Sequence, residues 1–288
     1  MEKIQSALAK ARSTREGKAA EPRPLPQVKP AAAPLEQAPE QASISSASAA
    51  EIAQAWQSLP ALELDAARLK RNRIMALEGG RDSTDIDMMR TRVLQQMRDN
   101  GWRRLAITSP TASCGKSTIA MNLALSLARQ ADLRTVLVEM DLRRPSLAQL
   151  TGITRDISFA HVLEGSQAFT HNALRYGDNL AVSCNQRPWK NPAELLGGKQ
   201  IPDVISAIEE VYAPDVMLFD TPPMLATDDM MAFARHMDCV LLVAGAESST
   251  IKEIDMCERD LASQTNVMGV ILNKCRYMGP EYGYGYYQ

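Results

Sequence analysis

The residues best placed to do chemistry lie at 107–118, where ITSPTASCGKST leads an apolar run through a turn of small residues into Gly115-Lys116-Ser117-Thr118. Gly-Lys-Ser at the start of a helix is a phosphate-binding pattern. Backbone N–H groups converge on phosphate oxygens, the lysine neutralises their charge, and the hydroxyl after it is placed to hold Mg²⁺. Ser113, Cys114, Gly115, Lys116, Ser117 and Thr118 are therefore the expected nucleotide contacts, with ATP and Mg²⁺ as the expected ligands. The loop deviates from the general motif, which wants glycine where this chain has Pro110.

Two later segments bring acids to the ends of apolar runs. TVLVEMDLRRP delivers Glu139 and Asp141, with Arg143 just beyond, and DVMLFDTPP ends its run on Asp220. Taken singly, an aspartate at a strand end reads as a helix cap or turn residue. In an open parallel sheet, however, ligands bind outside the carboxyl ends of the strands, so three such ends can converge on one nucleotide. Ser117, Asp141 and Asp220 then form the candidate metal set.

The elements that must position these residues follow from periodicity. Apolar runs predict strands near 104–109, 135–140, 179–183, 216–220, 239–244 and 267–272, and Ile119, Leu123 and Leu127 repeat at helical spacing behind the loop. Further helices are expected at 61–77, 84–98, 191–198, 201–212 and 251–264, several with Gly-Gly or Asn-Gly stops. Long helical connections between buried strands predict an α/β fold: a mostly parallel sheet flanked by helices, a P-loop NTPase with deviant Walker motifs. The dinucleotide pattern G-x-G-x-x-G is absent after the first strand.

Residues 1–60 differ from the rest. They hold a Pro/Ala/Ser-rich stretch, EPRPLPQVKPAAAPLEQAPEQ, and a single aromatic, Trp56, too little apolar surface to offset the entropy of ordering. A flexible arm is expected there, with a short docking helix at 50–58. The domain then runs over 61–275, and 276–288 form a tyrosine-rich tail. The start, MEKIQSALAKARSTR, lacks an apolar secretory core and no run is long enough to span a membrane, so a cytoplasmic location is expected. With 32 basic and 34 acidic residues, nothing argues for nucleic acid as a partner. Arg68, Lys70, Arg71 and Arg73 form a local basic patch, either a solvated helix face or a partner surface. The five cysteines lack metal-ligand or disulfide-scaffold spacing and suggest a reducing compartment. Cys114 reads as a small loop filler or an oxidation-sensitive thiol.

Together, SPTASCGKST, LVEMDLRRP, MLFDTPP, GVILNK and the tyrosine-rich end resemble the bacterial tyrosine kinases of exopolysaccharide and capsule synthesis, over about 84–288. Partitioning and cell-division-site ATPases share the deviant loop but usually carry an early lysine, where this chain has Thr111. The resemblance implies an ATP-dependent protein-tyrosine (auto)kinase. Lys116 would hold the β/γ-phosphates, Ser117 and Asp220 would order Mg²⁺, and Asp141 would orient or deprotonate the tyrosine with help from Glu139. Arg143 would steady phosphate or serve a structural ion pair, Asn273 would contact adenine, and Asp228 would support the site. Tyr277, Tyr282, Tyr284, Tyr286 and Tyr287, set among glycines, would be phosphoacceptors, or simply an adhesive end. Implied partners are other copies of the chain, the cytoplasmic segment of a membrane chain-length-control protein (a polysaccharide copolymerase) and a phosphotyrosine phosphatase. The family usually has aspartate at position 139 and a Glu-x-x-Arg-x-x-Arg helix for subunit contact. Thr84, Asp87 and Arg90 stand at the helix's three positions here. The alternative is a nucleotide-gated assembly ATPase of the same machinery with little kinase activity.

Overall fold

The computed structural model describes residues 48–276. The terminal tyrosines and residues 1–47 lie outside them. Five strands carry the parallel sheet that positions the loop: β1 (Arg104–Thr108), β2 (Thr135–Glu139), β5 (Val216–Asp220), β6 (Cys239–Gly245) and β7 (Asn266–Asn273), with β4 (Leu180–Ser183) alongside β2 and β3 (Leu174–Tyr176) at one edge. The order is β3-β4-β2-β5-β1-β6-β7, and β3 alone pairs antiparallel.

Because side chains alternate along each strand, the sheet builds two cores. Leu105, Ile107, Leu137, Leu218, Leu241 and Val243 face one way and pack with Val93 and Met97 of α3 (Thr84–Asn100) and Leu123 of α4 (Lys116–Ala128). Ala106, Val136, Met217, Phe219 and Leu242 face the other way. They pack with Trp56 of α1 (Ala49–Ser58), Ile205 of α9 (Ile201–Tyr212), Phe233 of α10 (Asp229–Ala234) and Leu261 of α11 (Ile251–Ala262). Short helices α2 (Ala66–Arg71), α5 (Leu147–Thr151), α6 (Phe159–Glu164), α7 (Phe169–Asn172) and α8 (Pro192–Leu196) fill the connections.

Three expectations are corrected. The helix expected over 61–77 is confined to α2. The Asn122 carboxamide takes the N–H groups of Met75 and Ala76 at 2.8 and 3.1 Å and donates to the Arg73 carbonyl at 3.0 Å, so these backbone groups pair with a side chain instead of continuing a helix. The flexible arm expected over 1–60 does not extend through 48–60, where the short helix expected at 50–58 is present as α1. Ser48 and Glu51 close a capping box on α1, and Trp56 is 3% exposed, its indole N–H donating to the Tyr212 carbonyl at 2.7 Å. The antiparallel strand β3 was unforeseen, because three residues carry no periodic signal.

Candidate nucleotide and phosphoryl-transfer site

The loop between β1 and α4 is shaped by two left-handed residues. Ser113 has φ 65° and Gly115 φ 96°, which turn successive N–H groups inward as an anion cradle. Glycine is required at 115 for space as well, since a Cβ there would lie 2.2 Å from Asn273 Nδ2. The loop is anchored to the segment after β5: Met224 N–H donates to Ser109 O at 2.8 Å, Leu225 N–H to Pro110 O at 3.0 Å, and the Thr108 hydroxyl to Pro222 O at 2.8 Å. Cys114 is buried, its Sγ 3.5 Å from Ser249 Oγ and 3.6 Å from Thr111 Oγ1, which fits the loop-filler reading.

Lys116 opens α4 and turns its Nζ to Asp141 Oδ2, 2.9 Å away. Burial opposes its charge, but the carboxylates of Asp220 and Asp141 outweigh burial and hold the ammonium above its usual range. Asp220, at the end of β5, is completely buried, and among the described residues neither carboxyl oxygen makes a well-formed hydrogen bond, although the Ser117 hydroxyl lies against the carboxyl. Burial pushes its carboxyl up to about 6 against the pull of Lys116. A buried carboxylate without a well-formed hydrogen bond is costly unless something answers its charge, and buried groups of this kind call for an explanation. Together with the Ser117 hydroxyl, which accepts from Ser146 Oγ at 2.9 Å, these oxygens suit a hard divalent cation and its waters. The donor set fits Mg²⁺.

The sequence-derived candidates divide at this point. Lys116, Ser117, Asp141 and Asp220 come together, as expected from the strand-end argument. Glu139 does not present its carboxylate to that cluster. Its Oε1 accepts from the N–H groups of Ser146 and Leu147 at 2.5 and 2.8 Å, and its Oε2 accepts from Asn185 N–H at 2.8 Å. Burial first, then the Asp220 charge, push it up to about 8 against those three donors. It ties the end of β2 to the start of α5 and the end of β4. Arg143 forms a two-bond pair with Asp229, Nε to Oδ2 at 2.6 Å and Nη2 to Oδ1 at 3.0 Å, while remaining 41% exposed. The buried acid next to Arg143 is thus Asp229, and Asp228 stands at the N-cap of α10 without a capping bond from its side chain. Asn273 donates to Cys114 O at 2.9 Å and accepts from Lys274 N–H at 2.9 Å, so its carboxamide braces the phosphate loop.

Ser146, Asn185 and Asp229 were missed by sequence reasoning. Ser146, the N-cap of α5, lies one residue past the DLRRP segment, Asn185 lies in an isolated bridge to Ser158 after β4 with no motif around it, and Asp229 adjoined the Asp228 chosen from the ATDD segment.

A phosphate loop on the central strand of a parallel sheet, with acids from two neighbouring strand ends facing its lysine, defines a P-loop nucleotide-binding protein of the deviant type. The family model for the CobQ/CobB/MinD/ParA nucleotide binding domain matches residues 105–279, and the chain belongs to that family. Within it, the chain is similar to bacterial tyrosine kinases. It is 28% identical over 223 residues to the tyrosine-protein kinase YwqD of Bacillus subtilis, covering 76% of this chain and 92% of that protein. It is 29% identical over 216 residues to the tyrosine-protein kinase ptk of Acinetobacter johnsonii, covering 71% of this chain and 28% of the relative. The chain spans about a third or less of the length of the first curated relatives it matches. Among solved structures, the kinase domain of the Escherichia coli tyrosine kinase ETK superposes with a TM-score of 0.62 at 26% identity, covering 70% of this chain and 80% of that one. Among the described residues, no helix is long and apolar enough to cross a membrane.

Proposed function

We propose that the chain is an ATP-dependent protein-tyrosine kinase that phosphorylates the tyrosine-rich tail of a neighbouring copy, in the control of exopolysaccharide or capsule polymerisation and export. The Lys116–Asp141 pair carries this reading: a buried ammonium and a buried carboxylate, 2.9 Å apart on the phosphate loop. It is supported by the similarity to named tyrosine kinases over most of the chain.

Without nucleotide, Asp141 is the counter-charge of Lys116. When phosphates occupy the cradle, Lys116 turns to the β- and γ-oxygens, and Asp141 Oδ2 is released to accept a proton. The tyrosine oxygen then bonds to the γ-phosphorus as the bond to the β–γ bridging oxygen breaks, and its proton passes to Asp141. Ser117 and Asp220 would hold Mg²⁺, which would supply charge stabilisation on the phosphates. The remaining task is alignment, which the rigid strand ends provide. Arg143 stays with Asp229 and shapes the rim. The expected partners are other copies of the chain, the cytoplasmic segment of a membrane polysaccharide copolymerase as activator, and a phosphotyrosine phosphatase; the expected location is the cytoplasm, at the membrane through that partner.

Asp141→Asn keeps size and removes the proton acceptor. Peptide mass spectrometry after incubation with Mg-ATP and an activating segment should find phosphate on Tyr282, Tyr284, Tyr286 or Tyr287, with Tyr277 as a further site, and a loss of about 100-fold or more in rate for Asp141→Asn. Absence of tail phosphotyrosine despite verified ATP turnover would overturn the kinase reading.

A further inference from the structure

A cavity of about 740 Å³ opens beside the phosphate loop, lined at that end by Gly115, Thr118, Asn273 and Lys274 and, from the segment between α2 and α3, by Arg73 and Met75. Gly115 and Thr118 belong both to the phosphate loop and to the wall of this cavity, so it offers room for the ribose and base of a nucleotide held by its phosphates. On the β7 side the Asn273 carboxamide is bonded to Cys114 O and Lys274 N–H and keeps one N–H and one lone pair for a ligand.

Arg73 stands on the wall supplied by the α2–α3 segment and closes α2 as the left-handed residue of a Schellman turn, with φ 60°, its N–H bonded to Lys70 O at 3.0 Å and the Ile74 N–H to Leu69 O at 2.9 Å. Asn122, one turn along α4 from Thr118, fixes this conformation through the Arg73 carbonyl and the N–H groups of Met75 and Ala76, and also donates to Thr118 O at 2.9 Å. The segment bearing Arg73 is therefore tied to the helix that begins the nucleotide site. The guanidinium is exposed and, among the described residues, makes no ion pair or hydrogen bond. The helix close and the Asn122 bonds fix where the Arg73 backbone stands, and its unpartnered guanidinium lines the cavity that adjoins the phosphate loop.

We propose that Arg73 forms one wall of the base site of the bound nucleotide, its guanidinium plane lying against the purine face. A planar cation over an aromatic face is attractive, and more so once the ligand excludes water from both. Arg73 would then select for a base rather than for phosphate, leaving phosphate to Lys116 and the loop. The proposal rests on the nucleotide-site reading and deepens it.

Calorimetry with Mg-ATP and with inorganic tripolyphosphate separates the two. Arg73→Ala should weaken ATP binding about tenfold and leave tripolyphosphate binding unchanged. Arg73→Lys, which retains charge and loses the plane, should show most of the same loss. Folding should not obscure the result, because the Asn122 bonds use backbone atoms and the replaced side chain is exposed; equal melting temperatures would verify it. Equal weakening for both ligands, weakening for neither, or full rescue by lysine overturns the proposal. If the wild-type chain binds neither ligand, the nucleotide site itself fails and this proposal with it.

Discussion

At Asp220 the requirements of folding and of ligand binding conflict. Its carboxyl is fully buried, has no well-formed hydrogen bond on either oxygen with only the Ser117 hydroxyl against it, and is pushed up to about 6 by burial. An acid whose folded value is raised loses stability as pH climbs from its unfolded value through its folded one, so at neutral pH the full cost is present. That cost is on the order of 1–3 kcal/mol, tempered by the nearby Lys116 ammonium. Asp220→Asn removes the charge and keeps the volume, while Lys116 retains Asp141 as its partner. The nucleotide-free variant should melt about 2–6 °C above wild type at pH 7.5, and its further gain on adding Mg-ATP should shrink. A variant that melts at or below the wild-type temperature would show that Asp220 is not strained without ligand. Glu139 differs in kind although it lies nearby in sequence. Three backbone N–H groups face its carboxyl oxygens, so above about pH 8, where the group is ionised, Glu139→Gln turns an amide NH₂ toward at least one donor. Such a mismatch should lower stability by about 1–3 kcal/mol in urea unfolding, with the phosphoryl-transfer rate per folded molecule much less affected than in Asp141→Asn.

At the scale of elements, α3 is fastened to α4 by one carboxylate. Asp87 Oδ1 accepts from Ser126 Oγ at 2.6 Å and pairs with Arg129, while Oδ2 accepts from Ser83 Oγ at 3.1 Å. Arg90 turns inward to the Ser126 carbonyl at 3.1 Å. Burial pushes the Asp87 carboxyl up, but Arg129, Ser126 and Ser83 outweigh it and set it at about 2. A depressed carboxyl contributes stability above its unfolded value, lost as pH falls through its folded one. The contribution, discounted for a partly wet site, is about 1 kcal/mol and should disappear between roughly pH 4 and pH 2. The wild-type advantage over Asp87→Asn in urea midpoint should therefore close across that interval, and a constant gap would exclude the carboxylate as its source. This network also shows where the sequence was legible. The six parallel strands, with α4, α9 and α11, were readable because long apolar runs and helical spacing follow from burial on a period. The phosphate loop, Asp141 and Asp220 were readable because strand ends place them together. Asp87, Asn122, Ser146 and Asn185 were not, because each acts on partners distant in the chain, which neither spacing nor composition encodes.

For the molecule as a whole, the segment before residue 61 has a different standing from the one its composition suggested. Averaged over 1–60 the sequence is too polar and proline-rich to order itself, yet the last stretch contains Trp56 and Leu59, both buried against the sheet's second core. A local cluster can outweigh the average of the window around it, because burial acts residue by residue. Trp56 meets Tyr212 edge to face with ring centroids 6.1 Å apart, and donates to the Tyr212 carbonyl, a group α9 leaves open at its C-terminal end. Removing the indole loses that contact area, orphans the carbonyl and opens a cavity above α9. Trp56→Ala should cost about 3–5 kcal/mol and expose 49–60 to protease while the phosphate loop still binds nucleotide. Thermal melting, limited proteolysis and ATP calorimetry on the same variant would test this. If the variant melts within a degree of wild type and stays uncut at 49–60, α1 is an accessory rather than a part of the folded domain.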